Sequence, residues 1–224
     1  MTGTRPVAAL LGFILLASCA AVPMPGPLPI IERPATSDVD PPYFAIFITG
    51  DGGWRKIDIK VSDALRRSGI PVVGLLSNYY FANERTPDET AAAIDTLIRE
   101  YSAKWERPQV ILTGYSRGAD ALPLIINRLG AESRRRIAAV ALLGPAPSGG
   151  LWVKGPDRYP LAPELARFRD LPLICVYGTH EKESLCHSLH EGEATVIAVP
   201  GGHHFGGDYE RVARAILDAL KTNR

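Results

Sequence analysis

The segment Gly114-Tyr115-Ser116-Arg117-Gly118 puts a serine between two glycines, directly after the apolar run Val110–Thr113 and before the apolar-periodic stretch Ala119–Leu129. That spacing suits a nucleophile on a tight turn from strand to helix, where a side chain at either glycine would collide with neighbouring backbone. The helix that follows offers unpaired N–H groups and a positive dipole end beside the serine oxygen. A serine at its ordinary pKa is a poor nucleophile, so the chain must also supply a base and a group that holds the base.

Both follow in order, each after a short apolar run. Leu173–Tyr177 leads into Gly178-Thr179-His180-Glu181-Lys182-Glu183, and Ala194–Val199 leads into Pro200-Gly201-Gly202-His203-His204-Phe205. His203, after the double glycine, is the expected base; His204 takes its place if the loop turns one residue later. Glu181, three residues past Gly178, is the expected acid, with Glu183 as the alternative. Serine, acid, histidine is the chain order of the α/β-hydrolases. A developing oxyanion needs two N–H donors. The backbone of Arg117 is expected to supply one, and that of Asp51, in Thr49-Gly50-Asp51-Gly52-Gly53-Trp54, the other. No cofactor or metal is implied, since His187-x-x-His190 has no carboxylate or cysteine pattern of a catalytic zinc site around it.

Positioning these residues takes a succession of strands and helices. Tyr43–Thr49 is a short β-branched and aromatic run, and Lys56–Arg67 carries Ile57, Val61, Ala64 and Leu65 on one helical stripe. Val72–Leu76 and Ile137–Leu143 read as further strands and Tyr209–Lys221 as a closing helix. Thr86, Pro87 and Glu89 form the N-cap, first residue and capping box of a helix over Pro87–Tyr101. Apolar strands separated by helices predict a mainly parallel sheet flanked by helices, an α/β-hydrolase fold with its chemistry at the carboxyl ends of the strands. Only the Pro/Gly-rich stretch Gly144–Pro163 is long enough to cover the site, so a minimal lid is expected.

With 224 residues, 46% apolar and 22% charged, the chain has the composition of a globular protein. A net charge of +1 and the lack of a basic run with interleaved aromatics argue against nucleic acid as a partner. Residues 1–18 read as a signal peptide, with Arg5 ahead of the apolar run Val7–Ala17, which is too short to span a bilayer. Leu16-Ala17-Ser18-Cys19 resembles a lipobox, which would place a lipid on Cys19; ordinary cleavage after Ala20 is the alternative. Residues 19–42, with seven prolines, read as an extended tether, and 43–224 as one domain. In an exported domain Cys175 and Cys186 are expected to pair, closing a loop around Glu181 and Glu183.

The GDGGW opening, the Arg85-Thr86-Pro87 helix start, Gly114–Asp120 (GYSRGAD), the Cys175–Cys186 segment and the PGGHHF-GDY close together resemble the VirJ/AcvB family of bacterial periplasmic α/β-hydrolases. The resemblance implies a periplasmic protein, and the lipobox-like segment adds an expected membrane tether through Cys19. The resemblance also implies hydrolysis of the aminoacyl ester of aminoacylated phosphatidylglycerol, above all the lysyl form. For such a head group Arg117 is expected to fork onto the phosphate, and Asp51 or Asp120 to face an ammonium, the alternative for Asp120 being an interaction with its own helix N-terminus alone. The family's link to type IV secretion keeps open, as an alternative, a non-enzymatic role as partner of a secretion-system protein, and a general periplasmic esterase or thioesterase is a further alternative.

Overall fold

The structure is a computed structural model and describes residues 26–190 and 192–222; the expected signal peptide and Cys19 lie outside them. In chain order the elements are β1 (Ile30–Arg33), β2 (Tyr43–Ile48), α1 (Lys56–Arg67), β3 (Val72–Leu75), α2 (Ser77–Tyr80), α3 (Pro87–Lys104), β4 (Gln109–Tyr115), α4 (Arg117–Ile126), α5 (Ala131–Arg135) and β5 (Ile137–Leu143). They continue with β6 (Ser148–Gly149), β7 (Tyr159–Pro160), α6 (Ala162–Leu165), β8 (Leu173–Gly178), β9 (Thr195–Val199) and α7 (Tyr209–Thr222).

Every residue of β2 is buried, and its alternate side chains divide between two cores. Phe44, Ile46 and Ile48 face α3 and α4, whereas Tyr43, Ala45 and Phe47 face α1 and α7. This is the period of two that a strand imposes, applied to a strand covered on both sides. The main sheet runs β1-β3-β2-β4-β5-β8-β9, parallel throughout except for β1. Helices cover both faces, and the architecture is that of the α/β-hydrolases.

The stretch expected to be a tether contributes more than a tether would. Residues Ile30–Arg33 pair antiparallel with β3, Ile30 opposite Leu75 and Arg33 opposite Val72. Prolines bracket this short run without entering it, and an edge strand tolerates them there. The Pro29 carbonyl accepts the Leu76 N–H at 2.9 Å, and the Pro34 carbonyl accepts Arg66 Nε at 2.6 Å. Arg33 pairs with Asp63, and Arg107 pairs with Asp40. The folded unit therefore begins upstream of Tyr43.

Elsewhere the differences are at ends and in short pieces. α3 runs on to Lys104, while α4 starts at Arg117 and stops at Ile126. Its predecessor α3 opens with the expected capping box, Thr86 Oγ1 accepting from Glu89 N–H and Glu89 Oε2 from Thr86 N–H. The helices α2 and α5 and the β6–β7 ladder span two to five residues each, too few for a hydrophobic period to register.

Candidate active site

Ser116 joins β4 to α4 with φ of 51° and ψ of −120°. This backbone costs a non-glycine residue about 1–3 kcal/mol, so its surroundings must hold it. They do so by close approach. A Cβ on Gly114 would lie 2.3 Å from the Gly118 carbonyl oxygen, and one on Gly118 would lie 2.0 Å from that of Ile48. The Ser116 N–H donates to the Leu143 carbonyl and its own carbonyl accepts from Asp120 N–H, both at 2.9 Å.

The structure brings Ser116, His203 and Glu181 together in one hydrogen-bonded chain. Ser116 Oγ lies 2.9 Å from His203 Nε2, and His203 Nδ1 lies 2.6 Å from Glu181 Oε1. The second Glu181 oxygen accepts the Gly178 N–H at 2.5 Å. Two backbone bonds join the acid loop to the histidine side: Thr179 N–H to Val199 and His180 N–H to Gly201, both at 2.9 Å. The disulfide Cys175–Cys186, with a Cα separation of 5.6 Å, closes the acid loop from the other side. Gly144 passes so close that a Cβ there would sit 3.0 Å from the His203 ring.

Electrostatics follow from these contacts. The Glu181 hydrogen bond raises the His203 pKa above its ordinary value, against burial, which lowers it. Burial pushes Glu181 up, but the hydrogen bonds from His203 and Gly178 outweigh it and leave Glu181 below the usual carboxylate range. Glu181 is therefore ionised at neutral pH, and Nδ1 carries the imidazole proton. Nε2 is then free to accept from the serine hydroxyl.

The two alternatives fall elsewhere. His204 Nδ1 lies 2.9 Å from the Tyr115 hydroxyl, which also donates to the His203 carbonyl at 3.2 Å. Glu183 is exposed.

Asp51 occupies the first corner of a turn closed by Gly53 N–H on the Gly50 carbonyl at 3.0 Å, so the turn does not use its own N–H. The turn lies against the nucleophile, since a Cβ on Gly50 would come within 3.3 Å of Ser116 Cβ. Thr49 anchors it, with Oγ1 accepting the Ser77 N–H at 2.9 Å. Arg117 opens α4, where an N–H has no carbonyl one turn back within the helix. The turn that carries Asp51 and the start of α4 at Arg117 thus both adjoin the serine, from separate elements.

The Arg117 side chain differs from expectation. Its guanidinium is 11% exposed and is bound by Asp51 at 3.1 Å, by Asp157 and by the Gly150 carbonyl. Through Nε and Nη1 it ties the Gly144–Pro163 segment to the Asp51 turn, so those donors are not available to fork onto a phosphate. Asp120 is buried and accepts the Ala146 N–H at 2.8 Å, so it holds the same segment and faces no ammonium. Burial raises its pKa to about 7. Tyr115, Gly144 and Asp157 escaped the sequence reading. Tyr115 lies inside the serine motif, whereas nothing in the sequence links Asp157 to Arg117.

Among solved structures, Est1E from Butyrivibrio proteoclasticus is similar over 86% of this chain and 94% of its own, with 15% identity and a TM-score of 0.60. An α/β serine hydrolase without a lid from Xanthomonas campestris aligns over 88% and 89%, with 17% identity and a TM-score of 0.59. The thioesterase domain of the curacin biosynthetic pathway aligns over 84% and 99%, with 15% identity and a TM-score of 0.57. These likenesses show the α/β-hydrolase fold. No curated protein matches the sequence. Residues 42–224 match the family described as bacterial virulence protein (VirJ), and with most of its length inside that match the chain belongs to the VirJ family.

Proposed function

We propose that this protein is a serine hydrolase of carboxylic esters. The observation that carries the proposal is the chain from Ser116 Oγ through His203 to Glu181, with bonds of 2.9 and 2.6 Å. His203 Nε2 takes the hydroxyl proton as Ser116 attacks the acyl carbonyl, and Glu181 stabilises the imidazolium that forms. The N–H groups of Asp51 and Arg117 hold the oxyanion. The imidazolium then protonates the leaving alcohol, and a water deprotonated by His203 releases the acid from the acyl-enzyme.

The substrate proposed is the aminoacyl ester of aminoacylated phosphatidylglycerol, with lysyl-phosphatidylglycerol as the leading form. Membership of the VirJ family and the resemblance of GYSRGAD, GDGGW and PGGHHF support it. A site with His203 43% exposed also suits a head group presented at a membrane surface. The same reading places the protein in the periplasm, tethered by lipid on Cys19, with a secretion-system protein as a further partner. None of the helices among the described residues is long and apolar enough to cross a membrane. The test is release of the amino acid from lysyl-phosphatidylglycerol vesicles by wild type and Ser116→Ala. Wild type is expected to release it and the variant to lose about 10⁴-fold or more. Release by both at similar rates would overturn the serine mechanism, and release by neither the substrate.

A further inference from the structure

The cleft beside Ser116 holds a carboxylate that the hydrogen-bonded chain does not use. Asp58, in the first turn of α1, is 1% exposed and lines a cleft of about 260 Å³ together with Ser116, His203, Tyr115 and Tyr209. Its Oδ2 caps the helix by accepting the Arg55 N–H at 2.8 Å. Its Oδ1 is buried with no hydrogen-bond partner.

Capping does not require this arrangement. At this N3 position a side-chain amide would reach back to the Arg55 N–H without a buried charge, and an unsatisfied buried acceptor destabilises a fold by about 1–3 kcal/mol, more when charged. Burial raises the Asp58 pKa to about 6, against the backbone N–H groups of Arg55 and of Asp58 itself and the charge of Arg55. Arg55 and Lys56 also line the cleft, but both are exposed and neither bonds Oδ1. The oxygen lacks a hydrogen-bond partner, and Asp58 borders the same cleft as Ser116 and His203.

We infer that Asp58 is the specificity residue for the acyl half of the substrate, its Oδ1 accepting from the ammonium of an aminoacyl ester whose carbonyl lies at Ser116. The inference rests on the ester-hydrolase reading and adds to it which acyl groups are preferred and why. Removed from water by Ile57, Tyr115 and Tyr209, the contact is stronger than at an exposed surface. A neutral acyl group leaves Oδ1 unsatisfied, the kind of mismatch by which a polar site rejects an analogue.

The experiment compares wild type with Asp58→Asn, which keeps a capping oxygen, on lysine methyl ester and on methyl hexanoate. The variant is expected to lose about tenfold or more in kcat/KM on the lysine ester, chiefly through KM, and to stay within about twofold on the hexanoate. Equal losses on both esters, or no loss on the lysine ester, would overturn the inference. Wild type hydrolysing neither ester removes the ester-hydrolase reading itself, a separate outcome. Competition on wild type decides independently of the variant's folding. Lysinamide is expected to inhibit methyl hexanoate hydrolysis and hexanamide is not; equal inhibition by the two would overturn the inference.

Discussion

The Tyr115 hydroxyl lies 2.9 Å from His204 Nδ1, while His203, one residue earlier, turns Nε2 to Ser116 Oγ at the same distance. Tyr115 therefore holds the loop by the His204 ring and the His203 carbonyl and leaves the His203 ring to act. His203→Gln is expected to lose about 10⁴-fold or more in turnover of a p-nitrophenyl ester, and His204→Gln less than about tenfold. The opposite ranking would make His204 the base.

The acid carries a parallel expectation. Glu181 binds both His203 and the Gly178 N–H, whereas Glu183 is exposed. Glu181→Gln should lower kcat by about 10³- to 10⁴-fold, and Glu183→Gln should leave it near wild type. Kinetics on one small ester settles the assignment, and equal small effects would place the acid elsewhere.

The pH profile follows from the His203 shift. The base must be neutral, and Glu181 raises its pKa, so kcat/KM falls as pH drops through a value above that of ordinary imidazole. Replacing Glu181 by Gln removes the largest raising influence and leaves burial to lower the pKa. The acidic limb measured for Glu181→Gln should therefore move to lower pH. A limb in the same place would mean that another group sets it.

The disulfide joins residues separated by 11 positions, with Glu181 inside the closed ring. Cys175→Ala combined with Cys186→Ala should cost roughly 3 kcal/mol in urea unfolding by the chain-entropy model. Turnover should also fall under conditions where the variant stays folded, because the loop that aims Glu181 has lost one of its closures. A stability loss with unchanged kcat would confine the bridge to a structural part.

Arg117 gives the sharpest contrast with the reading from sequence. Its hydrogen bonds to Asp157 and Asp51 hold its pKa up against burial, which lowers it. Arg117→Met should therefore impair hydrolysis of lysyl-phosphatidylglycerol and of a small neutral ester alike, by loosening the Asp51 turn and the Gly144–Pro163 segment together. A loss confined to the phospholipid would show that the guanidinium meets the phosphate after all.

What was legible in the sequence was local. The alternation in Tyr43–Ile48, the helical stripe of Lys56–Arg67 and the glycines flanking Ser116 each record their own geometry within a few residues. The order of serine, acid and histidine was legible because each follows a strand that could be read on its own. What joins distant loops was not. Asp157 reaches Arg117 across 40 positions from a segment without periodicity, and the four residues of β1 were hidden by the prolines around them. Asp58 stood in plain sight at the acid-favouring first turn of a helix, where capping is a sufficient explanation until the unpartnered oxygen is seen.

The direction of β1 sets how the domain faces its surroundings. Because β1 runs antiparallel to β3, its first residue, Ile30, lies opposite Leu75 at the carboxyl end of the sheet, the end that bears Thr49 and Ser116. The chain thus enters from the catalytic end. Had the fold begun at Tyr43, at the amino end of β2, the entry would be at the opposite pole. The lipid proposed on Cys19 would thus join the domain at the pole that carries the cleft, eleven residues before Ile30.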